Sequence, residues 1–172
     1  LGGIEYKSHT FIETGSLNVI SADGIIDVLV ISGGGAGTTS GLSEGGTQSG
    51  GGGAGGRVGV FVQGSYTFTG SVVAGGGAAK YAGAAGTSVF RLPGESHGVV
   101  TVDNNGLETT ATTLLQGVAG ADTMVVLDAA NIRGGARVEL CQTTTCSITA
   151  NNLQGDLTGV LDVKAGQSLV IG

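Results

Sequence analysis

The side chains that could carry chemistry in this sequence are few, and they are scattered along the chain. Ser96 and His97 are a nucleophile and a base by type. Adjacent residues in a turn seldom face each other, so we do not expect them to act as a catalytic pair. His9 lies in the middle of a predicted strand, where a surface or cross-strand role is more common than metal binding. The sequence therefore predicts a protein that is not an enzyme.

The acidic residues and the glycines also lack the spacing of known binding motifs. Four aspartates lie at loop or strand ends without the spacing of a calcium loop, and we interpret them as solvated turn residues: Asp122, Asp128, Asp156 and Asp162. No Gly-x-Gly-x-x-Gly segment opens a helix, and no glycine loop ends in Gly-Lys-Ser or Gly-Lys-Thr. We expect no nucleotide, cofactor or metal.

Cys141 and Cys146 are the two cysteines of the chain. They bracket the segment Gln-Thr-Thr-Thr, a spacing that a short hairpin could bridge, and closing such a loop would stabilise the fold by about 2 kcal/mol. A disulfide would indicate an extracellular or virion setting. Two free thiols on opposite sides of a turn are the alternative, whereas the spacing does not fit a redox or zinc site.

Composition excludes several classes of partner. The 7 basic and 13 acidic residues give a net charge of −6, which repels phosphate backbones, so we expect no nucleic acid partner. The longest apolar run, residues 25–31, is interrupted by Asp27, so no membrane insertion is expected. A hydrophobic fraction of 40% is sufficient for a folded core. The 36 glycines indicate that, in part of this core, backbone atoms pack where side chains would otherwise lie.

Period-two alternation predicts β-strands along the chain. Residues 6–12, 16–20 and 25–31 alternate in the manner of a β-meander, with Gly15 and Asp23-Gly24 as turns. Further candidate strands, separated by turn residues, cover 57–62, 65–73, 99–103, 109–115, 123–127, 136–141, 146–150, 159–163 and 167–171. The sequence predicts an all-β protein.

Glycine-rich segments at residues 33–56 and 75–77 interrupt these strands. They have no strict three-residue repeat, so a collagen triple helix is excluded. A flexible linker is one interpretation. The other is an ordered arrangement in which glycine lets extended, polyproline-like segments approach one another closely. The return of strands after each segment favours the ordered arrangement.

The character of the chain changes after Pro93-Gly94, which places a boundary near residues 91–97. We predict a glycine-rich β-lobe at residues 1–92 and a C-terminal β-sandwich-like lobe at residues 93–172. Short strands that recur about every eight to twelve residues are typical of a sandwich or barrel. The expected fold is all-β, with β-sandwich or jelly-roll-like lobes and glycine-rich loops. Residues 107–118 could instead form a helix, but their four threonines favour a strand.

Residues 9–19 and 26–35 together resemble the glycine-rich domain of phage tail fibres and related virion-surface proteins. In that family a Thr-Phe strand, a short strand ending in Val and a hydrophobic strand running into polyglycine recur together. Thr10-Phe11, Val19 and residues 26–35 match this pattern, and the resemblance covers roughly residues 9 to 90. Some adhesins of this kind have an ordered sandwich of glycine helices with receptor-binding loops. Residues 123–132 and 165–170 look like the short β-repeats of phage fibre and decoration proteins.

The resemblance implies a structural virion-surface protein, and composition favours the capsid decoration or cement type. Recognition surfaces are usually enriched in Tyr and Trp, but this chain has three Tyr and no Trp. The alternatives are a tail-fibre adhesin that binds a host-surface receptor and a subunit of a secreted extracellular filament. The expected location is the virion surface or another extracellular site.

We expect the protein to work as a homo-oligomer, either a trimer or a polymer, with other virion or filament structural proteins as partners. A chain with few large side chains buries modest apolar area and gains from shared interfaces. The candidate assembly edge is the first strand, because a chain terminus is free to cross onto a neighbour. Its candidate residues are Ile4, Tyr6, Phe11 and Ile12.

Overall fold

The computed structural model of the protein describes residues 51–62, 71–115, 125–142 and 146–172. These ranges contain β-strands and no helix, so the predicted β-rich class is confirmed for them. The strands are β1 (Arg57–Phe61), β2 (Thr87–Arg91), β3 (Val99–Asp103), β4 (Thr113–Leu114), β5 (Val125–Leu127), β6 (Ala129–Arg133), β7 (Arg137–Glu139), β8 (Cys146–Ala150), β9 (Leu153–Gly155), β10 (Val160–Asp162) and β11 (Gln167–Ile171). The predicted β-meander and the candidate edge Ile4, Tyr6, Phe11 and Ile12 lie outside the described residues.

Strands β3 to β11 form three successive coils of a parallel β-solenoid. The first sheet contains β3, β6 and β9, the second contains β4, β7 and β10, and the third contains β5, β8 and β11. Within these sets every pairing is parallel and joins one coil to the next. Val99 of β3 aligns with Ala129 of β6, for example. Each coil therefore contributes one strand to each sheet. The first coil contains β3–β5, the second contains β6–β8 and the third contains β9–β11.

Alternate side chains of these strands point into the solenoid and form its core, as the pleat of a strand requires. The second coil lies between the other two and is the most deeply buried. Five of its inward-facing residues are at most 1% exposed: Ala136, Val138, Leu140, Ile148 and Ala150. The apolar core is therefore densest in the middle coil and thinner towards each end.

The predicted β-sandwich or jelly-roll arrangement is not confirmed. Such folds are built from antiparallel sheets, whereas the described strands pair in parallel except for β2 with β3. Alternation reports only that one face of a strand is buried, so the same sequence pattern fits both architectures. The helical alternative for residues 107–118 is also not seen in its described part, residues 107–115.

Strands β1 and β2 extend the first sheet beyond the solenoid. β2 pairs antiparallel with β3 and β1 pairs parallel with β2, which gives the order β1-β2-β3-β6-β9. A second small core of Val58, Val60 and Val62 packs with partly buried Val72 and Phe90. One sheet therefore carries residues from both sides of the boundary predicted near residues 91–97.

Three glycine-rich segments pack side by side next to the first coil, at residues 51–56, 74–77 and 83–86. We call this arrangement the glycine bundle. Its backbone hydrogen bonds recur at every third residue, and they run from Gly52 N to Tyr81 O, Gly55 N to Ala84 O, Gly83 N to Gly77 O and Gly86 N to Ala74 O. A three-residue period matches the three residues per turn of a polyproline II helix and differs from the ladder of a β-sheet.

The glycine bundle depends on the absence of Cβ atoms. A Cβ at Gly52 would overlap the carbonyl oxygen of Gly77, and a Cβ at Gly83 would overlap that of Gly53. Neither Gly52 nor Gly83 has a positive φ, so close approach of backbones explains the need for glycine there. For residues 51–56 and 75–77 the structure supports the ordered alternative and not the flexible linker.

Candidate functional site

Ser96 and His97, a nucleophile and a base by type, lie in the bend that precedes β3. The N–H groups of Gly98 and His97 donate to Asp128 Oδ2 at 2.6 and 2.8 Å, and they hold the pKa of the Asp128 carboxyl below its usual range. The His97 ring lies beside the same carboxyl, with Nδ1 3.8 Å from Oδ1. Ser96 forms no hydrogen bond with His97 within the described residues. Asp128 therefore fixes the turn before β3.

Asp156 fastens the third coil to the second. Its Oδ1 accepts hydrogen bonds from the Thr158 hydroxyl at 2.6 Å and the Thr158 N–H at 3.0 Å, and its Oδ2 accepts from Gly134 N–H at 2.8 Å. The Thr158 hydroxyl also accepts from Gly135 N–H at 2.9 Å. These bonds, led by the one from the Thr158 hydroxyl, hold the pKa of Asp156 far below its ordinary value. The expected solvated turn residue is instead a clamp between two coils.

This clamp predicts acid sensitivity of the third coil. A depressed pKa means that the carboxylate stabilises the fold at pH values above about 3.8, its unfolded pKa, and that this contribution is lost as the pH falls through the lower folded pKa. We expect Asp156→Asn to have a lower Tm than the native chain at pH 7 and the difference to shrink below pH 4. Thermal unfolding across this pH range measures it; parallel Tm curves for the two proteins would contradict it.

The remaining charged side chains of the third coil are paired with the second coil. Asp162 accepts from Arg137 at 2.8 Å, and the Lys164 ammonium lies 2.7 Å from Glu139 Oε2. With Asp156, these two are the charged side chains of residues 151–172. The third coil therefore presents no charged side chain that lacks a partner within the chain.

The third coil leaves one side of the solenoid open. On the side away from the second coil, strands β9, β10 and β11 have no neighbouring strand among the described residues. Six of the nine exposed large hydrophobic residues of the described ranges lie in this coil, namely Leu153, Leu157, Val160, Val163, Val170 and Ile171. We call this face the open end. It combines unpaired backbone edges with apolar side chains.

Leu157 is the most unusual residue of the open end. Its side chain is fully exposed, and its φ of 70° lies in the left-handed region, which a leucine enters at a cost of about 1 kcal/mol. A polar Asn or a glycine would satisfy the same turn without exposing apolar surface. Leu157 therefore adds nothing to the solenoid core, and its conformation costs stability.

At the opposite end of the solenoid the glycine bundle contacts part of the first coil. The Thr109 hydroxyl donates to Ala82 O at 2.7 Å and the Thr113 hydroxyl donates to Ala85 O at 2.5 Å. Asn104, which is fully buried, accepts from Gly76 N–H and donates to the carbonyl oxygen of Gly83. These bonds join the glycine bundle to the first coil near β3 and β4, while β4 and β5 are terminal strands of their sheets among the described residues.

Cys141 and Cys146 form a disulfide in the structure, with an S–S distance of 1.98 Å and Cα atoms 6.6 Å apart. The described strands on either side of them, β7 and β8, do not pair with each other as the expected hairpin would require. Cys141 follows β7 in the second sheet, while Cys146 begins β8 in the third sheet, so the bond closes a corner between two sheets. Both residues are buried in the solenoid core.

We expect thiol titration of the denatured, unreduced protein to detect no free thiol and to detect two after reduction. Because the bond closes a short loop, reduction should lower the free energy of unfolding by about 2 kcal/mol. Denaturant unfolding with and without reductant measures this change. Two free thiols in the unreduced protein would contradict the pairing of Cys141 with Cys146.

Other features of the described residues offer no chemistry. A shallow cleft of about 230 Å³ is lined mainly by apolar side chains such as Val58, Val100 and Leu127. No group of three or more His, Cys, Asp or Glu side chains in the described ranges is placed to hold a metal ion. In the same ranges, no helix is long and apolar enough to cross a membrane.

Sequence reasoning missed the residues that define the two ends of the solenoid. Asn104 stands before an Asn-Gly turn, where a solvated turn residue is the ordinary interpretation, and Leu157 lies outside the strands predicted at residues 146–150 and 159–163. The only sequence signal was the placement of Leu157 between Asp156 and Thr158, where a turn residue is more usual. Burial identifies Asn104, and exposure with a positive φ identifies Leu157. Both properties depend on the whole fold and cannot be read from the local sequence.

No protein-family model matches the chain, and neither the curated proteins nor the solved structures contain a match. The function is therefore inferred from the residues themselves.

Proposed function

We propose that this chain is a structural virion-surface protein of the capsid decoration or cement type, and that the open end is the surface through which it joins a larger assembly. The observation that carries the proposal is the contrast between the two ends of the solenoid. Hydrogen bonds from Asn104, Thr109 and Thr113 join one end to the glycine bundle, whereas six of the nine exposed large hydrophobic residues of the described ranges lie in the coil at the other end.

An unprotected solenoid end is a liability for a protein that works alone. Terminal repeats of solenoids normally have a polar outer face, and edge strands are normally blunted by charge, proline or a covering segment. The third coil has no proline, and its three charged side chains are engaged within the chain. These features favour a surface that is covered in the working state.

An extracellular or virion-surface location fits the chemistry of the chain. The Cys141–Cys146 disulfide belongs to oxidising environments. The ordered glycine bundle at residues 51–56 agrees with the resemblance of residues 9–90 to the glycine-rich domain of phage surface proteins. Other structural proteins of the same particle are the expected partners of the assembly.

Electron microscopy of particles from the source organism tests this function. Gold-labelled antibodies against the chain should decorate the outer surface of intact virions. Particles that lack the chain should lose their contents at lower temperature than complete particles, and adding the purified chain should restore their resistance. Labelling confined to the cell interior, with none on particles, would contradict the proposal.

A tail-fibre adhesin is the second candidate, and one observation favours it. Lys80 and Tyr81 lie between two segments of the glycine bundle, with the Lys80 ammonium 5.6 Å from the centroid of the Tyr81 ring. The Tyr81 side chain is exposed and offers an aromatic face to a receptor. Binding of the purified chain to host cells that falls in Tyr81→Ala would support an adhesin; unchanged binding, or none, would favour the decoration role.

A further inference from the structure

We propose that Asn105 is a site of slow self-modification, in which the backbone nitrogen of Gly106 attacks the Asn105 side-chain amide, and that the contact between the first and second coils controls the rate. The products are aspartate and isoaspartate at position 105. This reaction needs only the chain and water, so it does not depend on the proposed assembly function.

Asn105 and Gly106 form the only Asn-Gly pair in the sequence. Attack on an asparagine side chain requires the nitrogen of the next residue to approach closely, and glycine, which has no side chain, hinders that approach least. The other asparagines of the chain are followed by larger residues, as Asn131 and Asn152 are by an isoleucine and a leucine. The sequence therefore makes Asn105 the asparagine most open to this reaction.

The side chain of Asn105 is accessible in the structure. The residue is exposed, and its side-chain amide forms no hydrogen bond among the described residues. Its backbone is fixed, because the Asn105 N–H donates to Asp103 Oδ1 at 2.8 Å. Its φ of 54° lies in the left-handed region, which asparagine tolerates better than most residues do. The carbon that would be attacked is therefore exposed on a well-defined turn.

The attacking nitrogen, in contrast, is engaged by the second coil. Gly106 N–H donates to Gly134 O at 3.0 Å. The nitrogen becomes a nucleophile only after it loses this proton, and it must also turn away from Gly134 to reach the Asn105 side chain. Both requirements break the hydrogen bond. The reaction is therefore blocked in the closed turn and proceeds in molecules whose first coil has opened locally from the second.

Gly134 is held tightly in this position, and we call its contact with Gly106 the seam. The Gly134 N–H donates to Asp156 Oδ2 at 2.8 Å, which ties the residue to the third coil. A Cβ at Gly134 would overlap Asp103 Oδ1 and would lie 3.1 Å from Gly106 N, so the two coils fit closely here. Opening of the seam is the event that modification of Asn105 records.

The reaction balances with water as the only co-reactant. The Gly106 nitrogen loses its proton to solvent and forms a bond to Asn105 Cγ, the Cγ–Nδ2 bond breaks, and ammonia leaves with a proton taken from solvent. The intermediate is a five-membered cyclic imide. Water then adds to one of its two carbonyl carbons. Opening at Cγ restores the main chain and gives aspartate, whereas opening at the Asn105 backbone carbonyl leaves the main chain running through the side chain and gives isoaspartate.

Either product weakens the seam. Both products carry a new carboxylate close to Asp103, whose own carboxylate accepts from the N–H of residue 105, and like charges at such a distance repel. Isoaspartate also adds one carbon to the main chain before Gly106, which displaces the N–H that reaches Gly134. A molecule that has reacted therefore opens more readily than before, and refolding does not reverse the change.

Peptide mapping by mass spectrometry tests the site and its control by folding. In urea at mildly alkaline pH, Asn105 of the 172-residue chain should react faster than Asn131 and Asn152. In the folded chain at the same pH its rate should fall at least about tenfold, because the reaction is slow compared with local opening and follows the population of the open form. An unreactive Asn105 in urea would overturn the site, and equal rates in the folded and unfolded chains would overturn its control by the seam.

Hydrogen exchange gives an independent measure of the same opening, because the proton of Gly106 N–H must leave in both reactions. The factor by which folding slows exchange at Gly106 should agree within about threefold with the factor by which folding slows modification of Asn105. NMR of the backbone amides measures the first factor, and peptide mapping measures the second. Strong protection of Gly106 together with fast modification of Asn105, or weak protection together with slow modification, would contradict the proposal.

Gly134→Ala and Gly94→Ala separate opening of the seam from a general loss of stability. Both glycines have a positive φ, so alanine is strained at each position. A Cβ at Gly134 meets atoms of the first coil, whereas a Cβ at Gly94 meets nothing within 4 Å. The folded Gly134→Ala chain should modify Asn105 at least about tenfold faster than the native chain, and Gly94→Ala less than about twofold faster. Equal rates in the two variants would overturn the proposal. If Gly134→Ala does not fold, the comparison of Gly106 exchange with Asn105 modification in the native chain decides the question.

Discussion

The Gly52→Ala substitution is expected to lower the free energy of unfolding by about 3 kcal/mol, because the new methyl group meets backbone that cannot move aside. Its Cβ would overlap the carbonyl oxygen of Gly77, and the N–H of Gly83 lies next to the same position. The Gly52 N–H also donates to Tyr81 O at 2.7 Å, so a shift that relieves the overlap would lengthen this hydrogen bond. Most domains are stable by only about 5–15 kcal/mol, so a large fraction of the stability would be lost.

Gly51→Ala is the matched control for this prediction. The two glycines are neighbours, but a Cβ at Gly51 meets nothing within 4 Å, and neither residue has a positive φ. Gly51→Ala should therefore be neutral or should stabilise the protein by about 0.5 kcal/mol through the unfolded chain. Urea unfolding of the three proteins measures both effects; equal midpoints for Gly52→Ala and Gly51→Ala would show that the glycine bundle is not packed in this way.

The sequence was sufficient to predict strands and an ordered role for glycine, because both depend on local pattern. Alternation identified residues 99–103, 146–150 and 167–171, and all three are strands with the same bounds in the structure. The return of strands on either side of residues 51–56 indicated that the glycines were not a linker, and their hydrogen bonds agree. In both cases the signal lies within a short stretch of chain.

The solenoid could not be predicted because its coils have unequal lengths. Val99 pairs with Ala129, thirty residues later, whereas Ala130 pairs with Leu153, only twenty-three residues later. A fixed repeat is the usual sequence signature of stacked coils, and the variable corners remove it. Parallel pairing also leaves no hairpin turn in the sequence, so short strands separated by Gly and Asn resembled a sandwich.

The candidate site depends on which strand edge has no neighbour, which is a property of the whole fold. The sequence analysis placed the assembly edge at residues 4–12, and that prediction lies outside the described residues. The open end lies instead at residues 151–172, where alternation looks the same as in the buried second coil. Only the absence of a further coil among the described residues distinguishes Leu153 or Ile171 from Ile132 or Ala150.

Asn104 holds the glycine bundle against the solenoid, and its removal is expected to be the most damaging change at a polar residue. The side chain is fully buried, accepts a hydrogen bond from Gly76 N–H at 2.8 Å, and donates to Leu107 O at 2.6 Å and Gly83 O at 3.3 Å. Asn104→Ala would leave one donor and two acceptors buried without partners. At about 1–3 kcal/mol for each such group, we expect a loss of about 4 kcal/mol.

Two further variants show whether the amide acts through these bonds. Asn104→Asp keeps an acceptor for Gly76 N–H but removes the donor to Leu107 O and Gly83 O, so we expect a loss similar to that of alanine at pH 7. Asn152→Ala is the control, because that side chain is exposed and its loss should change stability by less than about 0.5 kcal/mol. Equal stability of Asn104→Ala and Asn152→Ala would contradict the role of Asn104.

The double variant Gly52→Ala with Asn104→Ala connects the two predictions. Both substitutions act on the packing of the glycine bundle, since Gly52 touches Gly77 and Gly83 within it and Asn104 binds Gly76 and Gly83 from the first coil. Once one substitution has disrupted the packing of the glycine bundle, fewer native contacts of the bundle remain for the second substitution to remove. We expect the combined loss in the free energy of unfolding to be smaller than the sum of the single losses by at least about 1 kcal/mol, whereas independent sites would give an additive result.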